Sequence, residues 1–156
     1  MKSDRRSERQ EEAGRKAAMA TLAAAPAQML ADLWAAAELP DDAQPVRGPE
    51  TGLVTIRGRI GGGGAPFNVG EATVTRATVK LPTGEIGHAY ALGRDREKVR
   101  LSAIADALWQ DAKRRELVET RLLEPLRAAL ADADRRRREE TAATKVDFFT
   151  MVRGED

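Results

Sequence analysis

Arginine recurs through the middle of this chain in positions that could meet an oxyanion. Arg57 and Arg59 are two apart, Arg76 follows, and Arg94 stands directly before Asp95. A guanidinium donates in parallel to two oxygens, which makes phosphate a natural ligand for such residues. The competing reading is ordinary ion pairing, for which Glu50, Glu71, Glu85 and Asp95 are available, and it is the favoured one. The run IGGGGAPF (60–67) adds four consecutive glycines, whose amides could point at an anion. A nucleotide loop of the usual kind continues into Lys-Ser/Thr and a helix. Here Pro66-Phe67 and a strand-like stretch follow, so a turn between strands is favoured, with anion contact in a shared site as the minor reading. His88 is the single histidine, and an unperturbed imidazole titrates near neutrality. It alternates with Ile86 and Tyr90, which predicts a satisfied, half-buried side chain rather than a catalytic base. Spacing offers no Ser-His-Asp arrangement.

Composition narrows the chemistry further. Cysteine is absent, which removes disulfides, thiolate nucleophiles and Cys-ligated metal or iron–sulfur sites. One histidine makes a self-contained His-based metal site a poor prospect. A net charge of +1 gives no general case for nucleic acid or an anionic membrane. No stretch approaches the roughly 20 apolar residues of a membrane span. The opening MKSDRRSERQEEAGRK is charged and has no apolar core behind it, so a cytoplasmic protein is expected. At 156 residues, 42% hydrophobic and 33% charged, the chain fits one soluble domain over 15–156. Residues 1–14 read as a disordered or frayed arm.

The elements that must position these residues follow from periodicity. Leu22, Met29, Leu30, Leu33 and Trp34 have helical spacing, and Pro26 suits a helix start, which predicts helices near 15–24 and 26–38. GLVTIRGRI (52–60) alternates as a strand, with Val54, Ile56, Gly58 and Ile60 opposite Leu53, Thr55, Arg57 and Arg59. A short PVR (45–47) could pair with it across a turn at 49–52. A second strand runs through NVGEATVTRATVKL (68–81). Its parity slips, because Ala72 and Val74 share one face while Ala77, Val79 and Leu81 hold the other. A bulge near Thr75-Arg76 would produce this, as would two strand halves facing different partners. EIGHAYALG (85–93) is a third strand whose one face is only Gly and Ala, which invites a closely packed helix or backbone. REKVRLSAIADALWQDA (96–112) is an amphipathic helix. A further helical region over 115–142 restarts at Pro125, and DRRRREE is its solvated end. The expected fold is α+β: a three- to four-stranded antiparallel sheet with N- and C-terminal helices packed on it.

The chain closes on KVDFFTMVRGED (145–156), an extended apolar tail holding two of the three phenylalanines. Aromatic residues, Met and Arg are enriched at interfaces. Composition alone does not decide between core and partner surface.

Several of these stretches resemble a known family. ETGLVTIRGRIGGGG (50–64), GEATVTRATVKL (70–81), GHAYALGRDREK (87–98), IADALWQ (104–110) and KVDFFTMVRGED resemble PhnG, a subunit of the bacterial carbon–phosphorus lyase system. The likeness runs in order from about Ala17 to the C-terminus and leaves the first fourteen residues outside. It implies a transferase complex, inactive as this subunit alone, in which PhnG with PhnI, PhnH and PhnL displaces adenine from ATP with methylphosphonate. The implied product is ribose 1-methylphosphonate 5-triphosphate. It also implies a core assembly with PhnI, PhnH and PhnJ, two copies of each, and no cofactor held by this chain alone. ATP and methylphosphonate are then substrates of the complex. On that footing Arg59, Thr73, Thr75, Arg76, Arg94 and Asp95 are expected to line or brace a shared phosphate or ribose site. Asp147, Phe148, Phe149, Met151, Val152 and Arg153 are expected at a subunit interface. The alternative is a structural adaptor that contributes no atom to chemistry. A small nucleic-acid-binding domain is the weakest reading, since charge is near zero and no stacking platform is evident.

Overall fold

The computed structural model describes residues 2–144. In order they form α1 (Lys2–Ala24), α2 (Ala27–Ala36), β1 (Gln44–Arg59), β2 (Pro66–Lys80), β3 (Ile86–Leu92), α3 (Arg96–Gln110), α4 (Ala112–Val118) and α5 (Glu124–Ala143). A short 3-10 turn at Ile60–Gly62 links β1 to β2, and a π-helical turn at Glu119–Leu123 joins α4 to α5. The strands make one antiparallel sheet in the order β1-β2-β3. The expected α+β class is therefore observed, with three strands. The apolar tail at 145–156, with its six proposed interface residues, lies outside the described residues.

Helix α3 sits at the centre, with Val99 and every residue from Leu101 to Trp109 buried. Asp95 starts it by accepting the Lys98 backbone N–H at 2.8 Å, one of the orphan donors of a first helical turn. Gly87, Ala89 and Ala91 of β3 face this helix and are buried. The approach is close: a Cβ added at Gly87 would lie 1.9 Å from the Ala103 carbonyl oxygen. The Gly/Ala face is thus covered by this chain's own helix. Val79, Ala77 and Leu81 of β2 and its following turn complete the same layer with Leu22, Leu30 and Trp34. Pro26, extended at φ −61° and ψ 131°, separates α1 from α2, whereas Pro125 lies in the first turn of α5, directly after the π-helical turn and within a continuous helical run.

Two sequence expectations are corrected and one pair of alternatives is decided. First, the helix expected from Arg15 extends N-terminally and runs Lys2–Ala24. Glu11 pairs with Arg115, and Gly14 lies against the Trp109 ring, while the Arg115 guanidinium stacks 4.3 Å from that ring's centre. Contacts of such long sequence separation are invisible to local polarity. Second, PVR and GLVTIRGRI are not a hairpin. They are one strand, paired with β2 from Gln44↔Lys80 to Arg59↔Pro66. Pro45 and Pro49 fall where the register shifts, and β1 is an edge strand, where a missing N–H leaves fewer ladder bonds unmade. Of the two causes offered for the parity slip in β2, the second holds: pairing with both neighbours is continuous at Thr75-Arg76, so no bulge lies there. Its parity slips because Ala77 and Val79 meet α3 while Val74 is buried on the opposite face.

The π-helical turn carries a partly buried polar knot. Glu119 accepts from Trp109 Nε1 at 2.6 Å and from Arg127 at 2.6 Å. Burial disfavours its charge, but these hydrogen bonds outweigh burial and hold its pKa below the ordinary carboxylate value. A carboxylate depressed in the fold stabilises above its unfolded pKa, and that contribution is lost as pH falls through the folded value. Glu119→Gln is accordingly expected to cost about 1 kcal/mol at pH 7. Urea melts at pH 7 and pH 3 should show the deficit shrinking in acid. An equal deficit at both values would mean the charge is irrelevant.

Candidate functional site

β2 divides the candidate residues because successive side chains point to opposite faces. On the face turned away from α3, cross-strand rows run Glu50–Arg76–Tyr90 and Gly52–Val74–Leu92. They surround a recess of about 200 Å³ whose lining includes Glu50, Gly52, Val54, Val74, Arg76 and Tyr90. Val74 is its buried floor, and Gly52 keeps it open, since a Cβ there would touch nothing. Arg76 donates from Nε and Nη2 to Glu50 Oε2 at 3.2 and 3.1 Å, and Arg47 stands 3.8 Å from the same carboxylate. Arg76 and Glu50 are each about half exposed, so the pair is well screened and contributes at most about 1 kcal/mol. An incoming anion can therefore compete with Glu50 for this guanidinium.

Thr75 lies on the other face and is fully buried. Its hydroxyl donates to the Gly93 carbonyl at 2.8 Å. Having spent its one proton, it accepts from the Thr51 hydroxyl at 3.0 Å. The Gly93 N–H donates to the Thr73 carbonyl at 2.9 Å, with Gly93 at φ +96°, where a side chain would be strained. Thr73, Thr75 and the Asp95 cap thus pin the passage from β3 into α3, and Arg94 stands exposed beside them. Arg59 is elsewhere again: it donates to the Gly64 carbonyl at 2.9 Å and ties together the ends of the glycine run. That run is a turn closed by Gly64 N–H to Ile60 O at 3.2 Å, with Gly61 at φ +61°. The six residues expected to share a site occupy three places.

His88 departs from expectation. It is exposed, on the same face as Ile86 and Tyr90, and its Nδ1 lies 3.1 Å from the Thr78 hydroxyl. The larger side chains of β3 point outward because α3 packs too closely on the Gly/Ala side to admit them. The result is an open sheet face bearing exposed Ile86, Tyr90 and Leu92.

Sequence reading passed over Asp106. It is 1% exposed and accepts Arg15 Nε and Nη2 at 2.8 Å each and the His88 backbone N–H at 2.8 Å. The Arg15 guanidinium is raised above its ordinary pKa chiefly by this hydrogen bonding, against its partial burial. Gln110 donates to the Ile86 carbonyl at 2.8 Å. Asp106 and Gln110 together cap the outer edge of β3. An acid among Ile104, Ala105, Ala107 and Leu108 on a helix was the available signal. Among the described residues no three His, Cys, Asp or Glu come together as metal ligands, and no helix is long and apolar enough to cross a membrane.

Residues 13–154 match the family described as phosphonate metabolism protein PhnG. The chain is also 58% identical over 144 residues to the alpha-D-ribose 1-methylphosphonate 5-triphosphate synthase subunit PhnG of Rhizobium meliloti (strain 1021), covering 92% of each protein. Both the likeness and its extent agree with the strand and turn motifs described above, and the chain belongs to the PhnG family of phosphonate metabolism proteins.

Proposed function

We propose that this chain is a subunit of an alpha-D-ribose 1-methylphosphonate 5-triphosphate synthase. In that complex, methylphosphonate displaces adenine from ATP, with PhnI, PhnH and PhnL as companion subunits and PhnJ in the wider core. The chain acts there as a docking subunit through its open sheet face, and it offers Arg76, with Arg94, to a phosphate or ribose site that a partner completes. One observation carries the reading: the candidate cations are spread over three exposed places, so none of them surrounds an anion without a second chain. The Rhizobium meliloti relative is a subunit of such a synthase, which supports membership of the complex. A purely structural adaptor is the second reading, favoured by Glu50 already neutralising Arg76 and by Asp95 being used as a helix cap.

Co-expression with PhnH, PhnI and PhnL separates the two. The wild type and Arg76→Lys are compared for phosphonate-dependent adenine release from ATP, with complex mass recorded on the same samples. Lysine keeps the charge but loses the fork, so adenine release is expected to fall about tenfold with assembly intact. Unchanged release from an intact complex would leave Arg76 outside the chemistry and favour the adaptor.

A further inference from the structure

The far half of β1 has an unusual environment. β3 reaches only as far as Val74, its pairing with Leu92 being the last, whereas β1 and β2 continue together to Arg59↔Pro66. Residues 53–59 therefore belong to a two-stranded ribbon, a unit that is at best marginally stable in water. It exposes large apolar groups all the same: Leu53 is 63% exposed, Val69 60%, Ile56 46% and Phe67 45%. The strand order also leaves the outer edge of β1 without a neighbour among the described residues. Natural edge strands are usually blocked by proline, charge or a covering element. Pro45 and Pro49 interrupt the first half of β1, whereas 52–59 contains no proline, and its one register shift, between Ile56 and Arg57, places the extra residue, Val69, on β2 rather than on the outer strand. The opposite edge of the sheet, at β3, is capped by Asp106 and Gln110. The Ile86 carbonyl and the His88 N–H are thus met at that edge, whereas no strand covers the β1 edge among the described residues.

The side chains of this open stretch state what could pair with it. Alternation puts Val54 and Ile56 on one face, and Arg57 and Arg59 on the other. In 52–73 the only acid is Glu71, opposite Thr55. We infer that residues 52–59 accept an added fourth strand from a partner protein: an extended segment with apolar residues on one face and acidic residues on the other. Backbone groups supply affinity in such strand addition, and side-chain alternation supplies specificity. A second copy fits poorly. Antiparallel pairing of two β1 edges about a two-fold axis normal to the sheet puts the Arg57 and Arg59 guanidiniums of both copies on one face, and like charges there repel. This inference rests on the docking role proposed above and specifies its mode.

Hydrogen–deuterium exchange on the full chain, free and in the co-expressed synthase complex, tests it. Assembly is expected to protect every second amide in 52–59, those directed away from β2, since their partners are already protected. In parallel the free full chain is titrated with two synthetic eight-residue peptides, one alternating Val and Glu, the other Val and Lys. The acidic peptide is expected to bind at least about tenfold more tightly, with the preference reversed in an Arg57→Glu, Arg59→Glu double variant. Binding without charge preference, or an assembled complex with unprotected 52–59, would overturn the inference while leaving complex membership standing. Protection that grows with concentration in the free chain would replace the partner by a second copy. Protection of the dilute free chain that disappears on truncation after Thr144 would assign the edge to the chain's own end, again overturning it. If no complex forms, the docking role fails, and the peptide titration still decides the strand chemistry.

Discussion

Gly87→Ala is expected to destabilise the fold by about 3 kcal/mol, toward the upper end for an overpacked core. In most strands this exchange is neutral or favourable, because alanine restricts the unfolded chain more than glycine does, by about 0.4–1 kcal/mol. Here the added methyl would sit 1.9 Å from the Ala103 carbonyl oxygen, 2.6 Å from the Ala107 nitrogen and 2.8 Å from the Ala107 Cβ. The first two are helix backbone, which cannot rotate away as a side chain can. Helix α3 would have to lift from β3, and it is the most buried element of the molecule. Ala107→Gly would remove only the Cβ contact, so it is not expected to rescue Gly87→Ala. Urea unfolding of the single and double variants measures this. A Gly87→Ala protein as stable as the wild type would show that helix and strand are not held so near.

Asp106→Ala should be about as severe, at about 3 kcal/mol. The carboxylate is buried, and three donors converge on it from two other elements. Removing it leaves the His88 N–H without a partner at the sheet edge and deprives Arg15 of a bidentate acceptor. Loss of one partner from a buried pair costs about 3–5 kcal/mol. The lower end applies because the Arg15 side chain is 33% exposed and can recover some hydration. Arg15→Ala combined with Asp106→Ala should cost less than the two singles added together, by about 1–3 kcal/mol, since each removes the same contact. Strict additivity would mean that the two side chains do not act on one another. The pair ties α1 to α3 and, through His88, to β3, so it also sets the position of the strand whose outer face carries Tyr90 and Leu92.

Much of this protein was legible along its sequence. The alternation of 52–60 and 85–93, the break at Pro26 and the Gly/Ala face of the third strand all report local geometry. Backbone dihedrals and side-chain periodicity are properties of neighbouring residues, so a sequence displays them directly. The strand and turn motifs also sufficed to indicate the family. What the sequence left undecided were relations between distant residues. Pro45 and Pro49 look like turn residues, and only their place on an edge strand lets them remain in β1. His88 reads as half-buried by its neighbours, yet α3 takes the Gly/Ala face and turns the larger side chains to the open side. Asp106 is an isolated acid until the fold brings Arg15 to it across 91 positions. Thr75 and Arg76 are adjacent in sequence, and for that reason a strand sends one into the core and the other to the open recess. Whether neighbouring residues can share a site depends on which face each occupies and what packs there, and tertiary contacts settle that.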